Sequence, residues 1–233
     1  MLKPRHLKGC ISVDKLTKEI FKDAYGNEII VGQFTEVPKG AVKGWHFLSE
    51  DSTLAYEPGI KVEKGTLLTM TREPALYKQG LPYSKYLIDA LRYAPSSILS
   101  RVWIGGKRVK GSSRGAAQKQ GILWVGDISN ILHEFSCLYA EKALEVTGKT
   151  DKLLCNVIEA KRAWMRGEIS DEQLADVQRT SGSVFNWGVS FNVAHIFART
   201  VANGSFWNTT ERNYKTEQNE LLTKMVKEVM KNE

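Results

Sequence analysis

The chain has 233 residues, 42% apolar and 25% charged, with a formal net charge of +7. Such values suit one large domain or two small ones and are ordinary for a soluble globular protein. No apolar run reaches the length of a membrane helix, and Met1 to His6 lacks the apolar core of a signal peptide. Cys10, Cys137 and Cys155 are odd in number and far apart, which gives neither a disulfide framework nor a CxxC metal pair. A reducing, cytoplasmic setting is therefore expected.

In chain order, residues 1–90 read as β-rich and irregular. Glu28-Ile29-Ile30-Val31 follows a Gly26-Asn27 turn, and Val37-Pro38-Lys39-Gly40 is a second turn. Gly44-Trp45-His46-Phe47-Leu48 is a short aromatic strand. Residues 60–65 alternate and then turn, and 66–71 form another strand. Residues 84–93 predict a short helix with Ser84 as its N-cap, stopped by Pro95.

Residues 90–126 hold seven basic side chains, Arg92, Arg101, Lys107, Arg108, Lys110, Arg114 and Lys119, and no Asp or Glu. The chain's other 26 Lys and Arg balance its 26 Asp and Glu, so the whole net charge comes from this segment. A surface of one sign makes a field for an anionic partner. Trp103 and Trp124 add flat faces for stacking. Gly105-Gly106 between β-forming runs predicts a two-residue type I′ hairpin turn, which needs φ > 0 at both positions. Arg101 and Trp103 then share one face of the hairpin. Residues 111–115 read as a loop and 121–125 as a buried strand. The same run equally fits a hairpin whose basic tip is solvated.

From Asp127 the pattern turns helical. A helix runs from 127 to about 146, its core face carrying Ile128, Ile131, Leu132, Phe135, Leu138, Tyr139 and Val146. A second runs from about 151 to 166 and ends at Gly167. A third starts at the capping box Ser170-Asp171-Glu172-Gln173. Residues 175–202 and 209–230 also read as helical, with breaks at Gly182, Gly188 and Gly204. Residues 181–207 are rich in aromatic side chains, Trp187 among them, with Arg199 in their midst. They fit either a bundle core or an aromatic pocket between helices.

No GxxxxGK[ST], HxxxH or HExxH pattern occurs, so P-loop hydrolysis and helix-borne metal sites lack their motifs; Gly111-Ser112-Ser113-Arg114-Gly115 matches GxSxG as a string but reads as a loop leading into a strand, not as the strand-to-helix turn of a serine elbow. The glycines at 105–106 and 111–115 could still cradle a phosphate through backbone N–H groups. His46, between Trp45 and Phe47, fits a general base, a stacking group or a half-buried core histidine.

Residues 89–168 resemble a group of uncharacterised bacteriophage proteins with a strand-rich front half and an immunity-protein-like helical half. The matching residues are Asp89 to Pro95, Arg101 to Gly106, Leu123 to Asp127, Leu132 to Phe135, Ala140 to Leu144 and Ala163 to Glu168. Gly44-Trp45-His46-Phe47 is similar to a Gly-aromatic-His-aromatic element in the front half of such proteins. After Gln178 this chain departs from their Ala/Trp repeats. The resemblance implies an infected bacterial host as the setting and brings no catalytic residues with it.

The expected fold is α+β: a small β-rich N-terminal module (1–126) packed on a C-terminal antiparallel helical bundle (127–233). The expected function is counter-defence binding that sequesters a small phosphorylated, nucleotide-derived immune signal without catalysis. The alternatives are an enzyme acting on such a ligand, with His46 as base, or a protein- or DNA-binding module using the basic patch. The expected ligand-binding residues are Trp45, His46, Arg101, Trp103, Lys107, Arg108, Lys110, Arg114, Trp187 and Arg199. No metal, cofactor or membrane is expected; partners are the anionic ligand, an acidic protein or nucleic acid, or a second copy of the chain.

Overall fold

The computed structural model describes residues 18–23, 26–55, 57–147, 152–180, 194, 198–199 and 213–232. Its centre is a seven-stranded antiparallel sheet in the order β1(Glu19–Lys22), β2(Glu28–Gln33), β6(Thr66–Met70), β9(Gly115–Asp127), β8(Ile98–Lys110), β3(Val42–Phe47). The seventh strand, β7(Leu81–Tyr83), pairs with β9 at residues 115–117, next to the 119–121 segment that pairs with β6. β4(Thr53–Leu54) and β5(Glu57–Lys61) make a separate hairpin. Five helices are described: α1(Leu87–Leu91), α2(Ser129–Thr147), α3(Lys152–Met165), α4(Asp171–Thr180) and α5(Asn213–Asn232). The protein is thus α+β.

The sheet turns back on itself. Ser84, directly after β7, exchanges two backbone hydrogen bonds of 2.9 Å with Trp45 on β3. The pairings β3–β8, β8–β9, β9–β7 and β7 to β3 through Ser84 therefore close a ring. Two irregularities let the 13-residue strands β8 and β9 bend into it. In the first, Arg101 pairs with Trp124 but Val102 with Ile122, leaving Leu123 extra; in the second, Gly106 and Lys107 face Gln118.

The second irregularity corrects the predicted turn. Gly106 has φ +67°, as a turn glycine would, but the strand continues to Lys110. The chain reverses at residues 111–114, where Gly111 N–H donates to the Arg114 carbonyl at 2.9 Å. A left-handed glycine suits a bulge as well as a type I′ turn, and the pairing of Val109 and Lys110 with Ala116 and Gly115 decides for the bulge. The predicted N-cap is corrected too. α1 begins at Leu87, Tyr86 caps it without a side-chain bond, and Ser84 is taken up by the Trp45 bridge.

Glycines make room for the tryptophans. A Cβ on Gly121 would lie 1.9 Å from Trp103 Nε1, and one on Gly105 would lie 2.8 Å from the same ring. Trp103 is 4% exposed and meets Phe34 edge-on at 5.5 Å. One apolar cluster lies among the strands, with Ile29, Leu68, Val102, Ile104 and Ile122. A second joins sheet to helices: Trp45, Phe47, Leu99 and Trp124 pack with Leu87, Leu132, Phe135, Val157, Leu174, Leu222 and Val226.

Polar contacts fix the helices to this core. Asn219 on α5 accepts the Ile88 N–H at 3.3 Å, and Lys215 pairs with buried Asp89 at 2.6 Å, tying α5 to α1. Arg162 on α3 donates to Glu134 and Glu141, two turns apart on α2. The Ser170/Gln173 capping box forms in both directions, at 2.8 and 3.2 Å.

Gly121→Ala is expected to cost at least ~2 kcal/mol in urea unfolding, because the new methyl overlaps a ring fixed from both sides. Adding Trp103→Leu should recover part of that loss. Strictly additive losses would show that the methyl and the ring do not compete for one space.

Candidate functional site

The ring closure brings three distant parts of the chain together. β3 contributes His46, the hairpin tip contributes Arg114, and the loop between β6 and β7 contributes Tyr77 and Lys78. They border a cleft of about 240 Å³, whose apolar wall includes Ile29, Leu54, Met70 and Leu81. A smaller hollow shares His46, Ala55, Pro82 and Arg114 with it and runs toward Trp45 and Tyr93.

Arg114 stands at the mouth. Its guanidinium lies 4.8 Å from the Tyr77 ring centroid and 4.9 Å from that of Tyr93. Rings on a guanidinium restrain its plane while leaving its edge N–H groups to donate. Next to it, the Ser113 and Tyr93 hydroxyls share a hydrogen bond of 2.7 Å, which fastens the hairpin tip to the end of α1. Arg114 is half-buried, so its charge is less screened than that of a fully exposed arginine.

His46 lies deeper, 9% exposed, with Nδ1 buried and without a hydrogen-bond partner. Its backbone carbonyl accepts from the Ser100 hydroxyl at 2.7 Å. Burial, and then the Arg114 charge, push the imidazole down to about 4. It is therefore neutral at physiological pH and a weak base. Asp23 also lines the cleft, and both the backbone and side-chain N–H groups of Asn27 donate to its carboxylate at 2.6 Å.

Of the predicted residues, the fold brings His46 and Arg114 to the cleft, with Trp45 on the adjoining hollow. Arg101 lies over the Trp45 ring at 4.1 Å and donates to the Gly44 carbonyl, so it braces β3 against β8. Trp103 is a buried ring on a glycine floor and offers no stacking face, which corrects that expectation. Lys107 pairs with Glu73, while Arg108 and Lys110 are exposed on β8 opposite Ala117 and Gly115. Arg199 is half-buried and lines neither hollow, and Trp187 lies outside the described residues. Two broader grooves, of about 450 and 530 Å³, contain none of the predicted residues. Tyr77, Lys78 and Tyr93 were not singled out from the sequence. The signal for Tyr77 was its place in a short polar turn between strands.

Elsewhere three reactive groups are buried in helices, while the Cys155 thiol is half-buried. Cys137 is 1% exposed and its thiol is pushed up to about 12, chiefly by burial. Lys161 is fully buried with its ammonium 3.6 Å from the Trp164 ring centroid, and burial pushes it down to about 8. His133 meets the same ring edge-on and is pushed down to about 3, first by burial and then by Lys161. Among the described residues no three His, Cys, Asp or Glu side chains gather as metal ligands, and no helix is long and apolar enough to cross a membrane.

Compared with protein-family models, curated proteins and solved structures, the chain matches none.

The histidines predict a pH dependence. In the unfolded chain each takes up a proton near pH 6.5, whereas native His46 resists until about 4 and His133 until about 3. Below 6.5 the unfolded state binds more protons, so stability present at neutral pH is lost as pH falls toward 4. At 1.36 kcal/mol per pKa unit the His46 share is roughly 3 kcal/mol. Urea unfolding between pH 7 and 4.5 should give a shallower slope for His46→Gln than for wild type. Equal slopes would show that His46 titrates normally in the fold.

Proposed function

We propose that this protein binds a small phosphorylated, nucleotide-derived ligand in the His46–Arg114 cleft and holds it without chemical change. The observation that carries this reading is Arg114, fixed beside two tyrosine rings at the mouth of an apolar-walled cleft. A guanidinium presents a planar fork that matches two phosphate oxygens, and Lys78 adds a second cation on the same cleft. Apolar walls with a few convergent polar groups suit a small organic anion better than an extended polymer.

His46 favours binding over catalysis. An imidazole with its pKa near 4 is a poor proton acceptor at neutral pH, although it can still hydrogen-bond a ligand. The counter-defence setting, in which the ligand is an immune signal, rests on the resemblance to bacteriophage proteins. We further propose that the helices after residue 127 form an antiparallel bundle supporting the cleft. Contacts of α2 with α3 and α5, and of α3 with α4, support this.

Calorimetric titration with AMP tests the site. Arg114→Gln should weaken binding at least about tenfold, from the loss of charged hydrogen bonds. Arg108→Gln and Lys110→Gln, outside the cleft, should leave affinity within about twofold. AMP should be recovered intact after denaturation. Recovery of a cleaved product would favour the enzyme reading. Tight binding of random duplex that falls steeply with salt, beside no AMP binding, would favour nucleic acid.

A further inference from the structure

Tyr77 is out of place as a simple loop residue. The residue is 66% exposed and its backbone sits at φ +62°, a conformation that costs a non-glycine residue free energy. The surrounding turn forces that conformation. Ala75 and Gln79 exchange backbone hydrogen bonds of 2.8 and 3.0 Å, Lys78 N–H donates to the Ala75 carbonyl, and the Gln79 amide donates to the Glu73 carbonyl. Glu73 is also the partner of Lys107 on β8. The turn is thus pinned at both ends, and it holds a large apolar ring in water at the rim of the cleft. Burial would stabilise such a ring, so its exposure leaves an unmet contact.

Arg114 lies over the ring 4.8 Å from its centroid, and Tyr77 remains largely exposed. We infer that Tyr77 is a stacking platform for the planar base of the ligand, with Arg114 and Lys78 taking its phosphate. This inference rests on the cleft reading above and names the residue that would make the cleft prefer nucleoside phosphates to bare sugar phosphates or inorganic phosphate. Base–aromatic stacking tolerates any base, so the platform selects for a base without choosing which one. The adjoining cations meet the phosphate by charge-assisted hydrogen bonds.

The test compares AMP with ribose 5-phosphate, which lacks the base, by calorimetric titration of the wild type, Tyr77→Leu and Tyr77→Phe. The exposure of the ring should let all three fold, and thermal melts check this. Wild type should bind AMP at least about fivefold more tightly than ribose 5-phosphate. Tyr77→Leu should abolish the difference between AMP and ribose 5-phosphate, even where a loosened Arg114 weakens both, while Tyr77→Phe keeps the difference. Equal binding of the two compounds by wild type overturns the platform alone and leaves the cleft standing. An equal loss for both compounds in Tyr77→Leu also overturns it, since the ring would then serve only to hold Arg114. Binding of neither compound by wild type overturns the cleft reading and the platform together.

Discussion

The paired backbone hydrogen bonds between Trp45 and Ser84 are what the rest of this structure depends on. They turn an open antiparallel sheet into a ring, because they join β3 to the end of β7 while β7 is already paired with β9. Ring closure puts His46, the residue after Trp45, under the tip of the β8–β9 hairpin. It also starts α1 three residues beyond Ser84, so that Tyr93 reaches Ser113. The long strands can curl this far only because each accommodates an extra residue and because glycines 105 and 121 let Trp103 lie against the sheet. Closure, bulges and glycine floor are thus parts of one constraint.

The same geometry divides the basic stretch by task. Arg101 is used to hold β3 on β8, Lys107 ties the hairpin to the loop bearing Tyr77, and Arg114 is left over the cleft. A run of like charge in sequence has become a brace, a strut and a candidate phosphate ligand. The desolvated His46 beneath adds hydrogen-bonding capacity without adding charge. Binding without chemistry is consistent with that arrangement.

Much of the fold was legible because it is local. The α2 stripe, buried at Ile128, Leu132, Phe135 and Tyr139, the Gly167 stop and the Ser170 capping box follow from periodicity and caps. The strands expected at 28–31, 44–48 and 66–71 from β-forming runs between turns are found at 28–33, 42–47 and 66–70. The failures are non-local. Gly105-Gly106 has the chemistry of a turn, and only its pairing with β9 makes it a bulge. Trp103 looked like a stacking group because nothing local reveals that Gly121, 18 positions on, forms its floor. Arg114 and His46 were both singled out, but their meeting depends on ring closure, which no spacing encodes. Tyr77 and Tyr93 were missed because their importance lies in what they face.

The central claim is that the Arg114 cleft holds a phosphorylated nucleotide-type ligand. It is tested most directly by heat-releasing whatever small molecules co-purify with the protein and reading them by mass spectrometry. The account predicts an intact nucleoside phosphate from the wild type and its absence from Arg114→Gln purified in parallel. The same nucleotide retained by Arg114→Gln, or no nucleotide in the wild type together with no binding of added AMP, would contradict it.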